Sequence, residues 1–223
     1  MEDTPTDKSH PLTRRTAFLR EVAPAVGGRG AVQQLAAALR RINHALASTN
    51  PNEEQTFRAV ASIEQLADEF EGLQAESLAR NEDGQATFDR NPVLGFANPV
   101  APPVVLRVDG DTIRGSVTFG EAYEGPRGFV HGGFIAAAFD EALGMVQALS
   151  GNPGVTGTLT VRYRQPTPLH VELAFIARVE RVEGRKIYTS ATVHAGDRLC
   201  AEAEGIFISV GTESFRGPPV GRP

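Results

Sequence analysis

The stretch Gly128-Phe129-Val130-His131-Gly132-Gly133 places two adjacent glycines directly before a helical run, FIAAAFDEALGMVQAL, over residues 134–149. Glycines leave backbone N–H groups open to close approach, and a helix N-terminus adds unsatisfied donors and the positive end of the helix dipole. The combination suits an oxyanion hole, in which N–H groups meet a carbonyl oxygen as negative charge develops on it during acyl transfer. The same residues also describe a tight entry turn whose glycines serve only close packing, with His131 as a structural hydrogen-bonding residue. Seven residues beyond Gly133, the acidic pair Asp140-Glu141 interrupts a helix that is apolar on nearly every face. Asp140 is a candidate general base for activating water, or else a polar group bound for solvent, a subunit boundary or a hydrogen bond in the core. Glu141 points about 100° around the helix from it and is not its equivalent.

These residues need elements to hold them. The apolar helix should be enclosed by protein, and the flanking sequence supplies strands. Val104 to Asp109 and Thr112 to Phe119 alternate around a Gly110-Asp111 hairpin turn. Strands over 155–164, 171–182, 186–194 and 199–210 follow the helix, with turns at Gly184 and Gly196. The order β, β, α and then four β segments predicts an α+β fold, an antiparallel sheet wrapped around one central helix. Upstream, Val32, Leu35, Leu39, Ile42 and Leu46 recur at helical spacing, Asn50-Pro51 breaks the run, and residues 53–80 resume it through Phe57, Val60, Ile63, Leu66 and Phe70. Two amphipathic helices are expected, either paired as a hairpin on one flank or covering another subunit. A short helix over Thr13 to Glu21 precedes them. The domain reading is a helical extension over 1–89, a core over 90–210 and a flexible tail over 211–223.

The 223 residues carry a net charge of −5, and 41% are hydrophobic. A net negative chain argues against a broad nucleic-acid or anionic-membrane footprint. The extension holds most of that charge, since residues 1–90 sum to −4 and the remainder to −1. The near-neutral core leaves room for arginine contacts to a phosphate-bearing ligand. A single cysteine, Cys200, permits no internal disulfide and no cysteine metal cluster, and no apolar run is long enough to span a bilayer. The expected location is cytoplasmic, and no metal or redox cofactor is implied.

GFVHGG at 128–133, Asp140-Glu141-Ala142-Leu143-Gly144 within the helix, VTGTLTVRYRQPTPL at 155–169 and VEGRK at 182–186 together resemble the hot-dog-fold acyl-CoA thioesterase superfamily. The match is to its phenylacetate-pathway-like and THEM4-like group. The similarity spans about residues 90–210 and leaves the extension unexplained. It implies a hot-dog fold and hydrolysis of an acyl-CoA to a carboxylic acid and CoA. It also implies that His131, Gly132 and Gly133 organise the thioester carbonyl, that Asp140 promotes attack by water or acts as nucleophile, and that Thr156 positions the attacking group. Thr158 is the alternative to Thr156, because a small error in strand alignment exchanges them.

Geometry adds a constraint. Seven helical steps separate Gly133 from Asp140 by about 10 Å along the axis, too far for one carbonyl to engage both. A two-fold dimer, with the turn of one subunit meeting Asp140 and Thr156 of the other, closes that gap, and a dimer of dimers extends it. On the substrate side, Phe134, Phe139 and Leu143 are candidates for the acyl group, or for packing. Arg162 and Arg164 share one strand face and are candidates for CoA phosphates, or for a solvated sheet surface. Tyr163 faces the other way and reads as core. Two other functions fit the same pattern: a hot-dog hydratase or dehydratase, which would move protons at the α or β carbon, and a non-catalytic acyl-CoA-binding module.

Overall fold

The computed structural model describes residues 28–73, 89–102, 104–152 and 154–210. The expected Thr13–Glu21 helix, residues 74–80 of the second helix and the 211–223 tail lie outside them. Helix α1 (Gly28–Ser48) and helix α2 (Glu53–Glu71) are followed by strands β1 (Val105–Asp109) and β2 (Thr112–Thr118). Then come a 3₁₀ turn over Glu121–Tyr123, helix α3 (Gly132–Ala148) and strands β3 (Gly154–Tyr163), β4 (Glu172–Glu183), β5 (Lys186–Ala195) and β6 (Arg198–Ser209). The strands form one antiparallel sheet in the order β1-β2-β4-β5-β6-β3. Three hairpins close with two-residue turns whose first residue, Gly110, Gly184 or Gly196, has φ near +60°. That conformation matches the strand twist and strains any residue carrying a Cβ.

The sheet curls around α3, the hot-dog arrangement that the sequence implied. Ile135, Ala138, Phe139, Ala142, Leu143 and Val146 have at most 1% of their surface exposed. They pack against Ile113, Leu173, Phe175, Ile187, Val193 and Phe207 from the sheet, with the rings of Phe139 and Phe175 edge to face at 5.6 Å. Gly205 lets helix and sheet approach, since a Cβ there would stand 3.1 Å from Leu143 and 2.7 Å from the Thr189 hydroxyl.

The prolines and glycines of 90–102 produce turns rather than a regular element. Helix α1 docks on them. Arg40 donates to the carbonyls of Asn98 and Phe96, at 2.6 and 3.1 Å, and His44 Nδ1 accepts the Ala122 N–H at 3.2 Å. Helix α2 is well capped, with Asn52 and Gln55 exchanging side-chain and backbone bonds, yet it buries no residue. The hairpin of two mutually covering helices is therefore not what forms. The apolar stripe Phe57, Val60, Ile63 and Phe70 of α2 stays exposed.

Candidate active site

The turn before α3 is stitched from both sides. Val130 N–H donates to Thr167 O at 2.8 Å, His131 N–H to Tyr123 O at 2.9 Å, and Gly128 N–H to the Glu124 carboxylate at 2.6 Å. His131 leaves this turn with extended backbone (φ −62°, ψ 130°) and caps the helix, its Nδ1 accepting the Gly133 N–H at 3.0 Å. The Phe134 N–H donates back to His131 O. Of the first three N–H groups of α3, those of Gly133 and Phe134 are thus engaged within the turn. The Gly132 N–H, the first of the helix, has no recorded acceptor among the described residues.

Two turns along the same helix, Asp140 is partly exposed, and its Oδ1 accepts the Thr156 hydroxyl hydrogen at 2.9 Å. The carboxylate keeps its second oxygen. Glu141 turns away, as its angular offset requires, and accepts from Asn91 Nδ2 at 2.7 Å. Asn91 in turn receives the N–H groups of Val93 and Leu94. Glu141 therefore ties α3 to the turn at 91–94.

Backbone register sets Thr156 and Thr158 on opposite faces of the strand. Thr156 stands opposite Phe207 and Thr158 opposite Ile206, so Gly157 is an extra residue, a β-bulge. Beyond the bulge, Leu159, Val161 and Tyr163 lie opposite Gly205, Ala203 and Ala201, on the face that meets the helix. The bulge inverts the alternation. Thr156 consequently shares the helix face with Tyr163, while Thr158 falls with Thr160 and Arg162 on the outer face. A glycine suits the position, because a Cβ at 157 would come within 3.0 Å of the Ile208 side chain.

The other sequence candidates are distributed as follows. Phe139 and Leu143 are enclosed in the core with no exposed surface. Phe134 is partly buried beside the turn, its ring 4.9 Å from that of Tyr123. Arg162 and Arg164 lie on the outer face and pair with Glu204, at 2.9 Å, and Glu202. Both arginines thus already carry carboxylate partners on a solvated face. Among the described residues no group of three or more His, Cys, Asp or Glu side chains is arranged to hold a metal ion, and no helix is long and apolar enough to cross a membrane.

Two residues at the site were not singled out by sequence. Tyr163, expected in the core, is 54% exposed because β3 is the sheet edge, and its hydroxyl donates to Gly132 O at 2.7 Å. Burial of the ring side pushes its phenol pKa up. Gln147, only 3% exposed, accepts the Gly154 N–H at 3.0 Å and donates to Gly144 O at 3.1 Å, tying the end of α3 to the start of β3. A buried amide in a core helix gives a sequence signal; the hydroxyl of a strand tyrosine gives none.

The thioesterase superfamily family model matches residues 127–202, from the turn to β6. The solved structure of the thioesterase superfamily protein RHA08564 superposes with a TM-score of 0.74 at 32% identity, over 83% of this chain and 97% of that one. Acyl-coenzyme A thioesterase THEM4 of Xenopus laevis is 38% identical over 93 residues, 41% of this chain and 42% of the relative. THEM5 of Homo sapiens is 30% identical over 96 residues, 42% of this chain and 39% of the relative. The chain thus spans less than half the length of these two curated thioesterases. With near-complete coverage of a solved superfamily member, and with the matched segment running through the turn, Asp140 and Thr156, the chain belongs to the thioesterase superfamily.

Proposed function

We propose that the protein hydrolyses an acyl-CoA thioester to a carboxylic acid and CoA. The observation that carries this is the Thr156–Asp140 hydrogen bond, which joins a strand hydroxyl to a helix carboxylate on the same helix that begins with an open N–H. The thioester carbonyl would sit at the start of α3, where the Gly132 N–H and the helix dipole stabilise the developing oxyanion. His131 holds the turn in shape through the Gly133 N–H rather than by proton transfer. Asp140, with one oxygen committed to Thr156, would use the other to take a proton from the attacking water. The tetrahedral intermediate then collapses with departure of the CoA thiolate, which is protonated on release. The relatives named acyl-coenzyme A thioesterases support the substrate class.

The reading requires two chains. Gly132 and Asp140 are eight helical steps apart, about 12 Å along the axis, so one carbonyl cannot bridge them within a subunit. Among the described residues, the ten-residue β3 ends the sheet with an unpaired edge and exposed Val155 and Tyr163, the kind of strand that recruits a second copy. A two-fold pairing along β3 would bring the start of one α3 toward Asp140 and Thr156 of the other.

The test is thiol release from short, long and aromatic acyl-CoAs by the wild type and by Asp140→Asn, each at verified oligomeric state. A fall in kcat of about 100-fold or more is expected for the variant. Turnover preserved at unchanged assembly would overturn the role of Asp140.

A further inference from the structure

The Gly132 carbonyl and the Gly133 N–H belong to one planar peptide unit. Tyr163 donates its hydroxyl hydrogen to the carbonyl at 2.7 Å, while His131 Nδ1 accepts the N–H at 3.0 Å. The phenol also lies over Gly132 itself, with its Cζ and hydroxyl 3.1 Å from the place a Cβ would occupy. A strand side chain and a turn side chain therefore grip opposite ends of the peptide that immediately follows the open Gly132 N–H. Hydrogen bonds arranged in such a chain polarise one another and resist rotation of the unit between them.

Stability does not call for the hydroxyl. Within a single chain Tyr163 is 54% exposed, so water can reach it there. The Gly132 carbonyl lies in the first turn of a 17-residue helix and has an acceptor role there without the phenol. The aromatic ring alone would cover Gly132 equally well. What the hydroxyl adds is direction: it ties the start of α3 to the same strand that holds Thr156 against Asp140.

We infer that Tyr163 is a positioning residue for thioester hydrolysis, clamping the Gly132–Gly133 peptide with His131 so that the first N–H of α3 is held toward the substrate carbonyl. The inference rests on the reading of the site given above. It concerns the hydroxyl alone, because the residue touches the turn and not the reacting atoms.

Tyr163→Phe in the full chain removes that hydroxyl and keeps the ring. Tyr188→Phe is the control, since Tyr188 lies on the outer face of β5 with the Arg181 guanidinium 3.6 Å from its ring centroid. Three readouts are needed: kcat and KM on the best acyl-CoA substrate, the Tm with dimer content, and the amide resonance of Gly133 in glycine-labelled protein. Tyr163→Phe should lower kcat about tenfold, the worth of one oriented hydrogen bond, with KM and Tm little changed and the Gly133 resonance displaced. Tyr188→Phe should leave kcat and that resonance in place. An unchanged kcat in Tyr163→Phe overturns the proposal, and so does a loss of activity that only follows a fall in Tm or in dimer content. A wild-type protein that hydrolyses no acyl-CoA overturns instead the reading on which the proposal rests.

Discussion

Proline at position 132 would delete the first N–H of α3 while preserving the turn. Proline is favoured at the first helical position, and the residue before it must be extended, which His131 already is at φ −62° and ψ 130°. The added ring atoms face the Tyr163 side chain, 3.1 Å from the Cβ position, so that side chain must shift by a few tenths of an ångström to admit the ring. Loss of one oxyanion donor costs about 100- to 1000-fold in kcat, roughly 2.7–4 kcal/mol. Asp140→Asn would remove the proposed general base and cost a similar factor. If each site takes its donor from one chain and its carboxylate from the other, a mixed dimer of Gly132→Pro with Asp140→Asn has one site with both lesions and one with neither. Two differently tagged chains, co-expressed and purified through both tags, should then release thiol at about half the wild-type rate per dimer. A site contained in one chain gives no intact copy in the mixed dimer, so activity would stay near 1% or below by the same donor arithmetic. A mixed dimer as inactive as its parents, at confirmed dimer mass, would refute the shared site and the distance argument behind it.

Thr156→Val keeps shape and deletes the donor to Asp140, which should lower kcat about 10- to 15-fold, the lower end for a hydrogen bond to a charged group because the pair is solvent-accessible. Thr158→Val, on the outer face, should match the wild type in the same kinetic assay. Phe139→Ala empties a fully buried aromatic site against Phe175, so denaturant unfolding should show a loss of about 3–5 kcal/mol. The KM of whatever remains folded should change little if Phe139 packs the core rather than touching the acyl chain. Burial raises the Tyr123 phenol, with the Arg40 charge opposing it. Its stabilising contribution is therefore complete below the unfolded phenol value of about 10 and is lost as pH rises through the raised folded value. Thermal unfolding against pH should fall on the alkaline side, and less steeply in Tyr123→Phe.

Element order and turn positions were legible because they depend on local rules. Gly110, Gly184 and Gly196 each sit where a two-residue hairpin needs positive φ, and the all-round apolar run 134–149 could only be a helix enclosed by sheet. Candidates on α3 were legible for a similar reason, since helical angle separates Asp140 from Glu141 without knowledge of the fold. The strand facing them was not. Thr156 and Tyr163 are seven residues apart, and strict alternation puts an odd interval on opposite faces. Under that rule Thr156 would share the outer face with Arg162 and Arg164, and Tyr163 alone would point to the helix. Only the bulge at Gly157 sets Thr156 and Tyr163 on one side, and a bulge is a property of the pairing with β6. The exposure of α2 was equally hidden, because a periodic stripe predicts a buried face without saying which chain buries it.

Strand β3 shows how these residues are held together as a set. As the sheet edge it has no residue that is fully buried and hydrogen-bonds along one side only, so hydrophobic burial holds it weakly. Three polar links fasten it to α3 instead: Gly154 to Gln147 at the end of the helix, Thr156 to Asp140 in its middle and Tyr163 to Gly132 at its start. The strand thus runs antiparallel to the helix, registered against nearly its whole length of about 22 Å between Gly132 and Gln147. Because α3 is the most deeply buried element, it transfers its rigidity to the edge strand through these links. A second chain pairing along the outer edge of β3 would then meet a strand already fixed in register. On the proposed reading, the oxyanion donor of one subunit and the carboxylate of the other would be set by the same two elements, so alignment of the shared site would follow from alignment of the two strands.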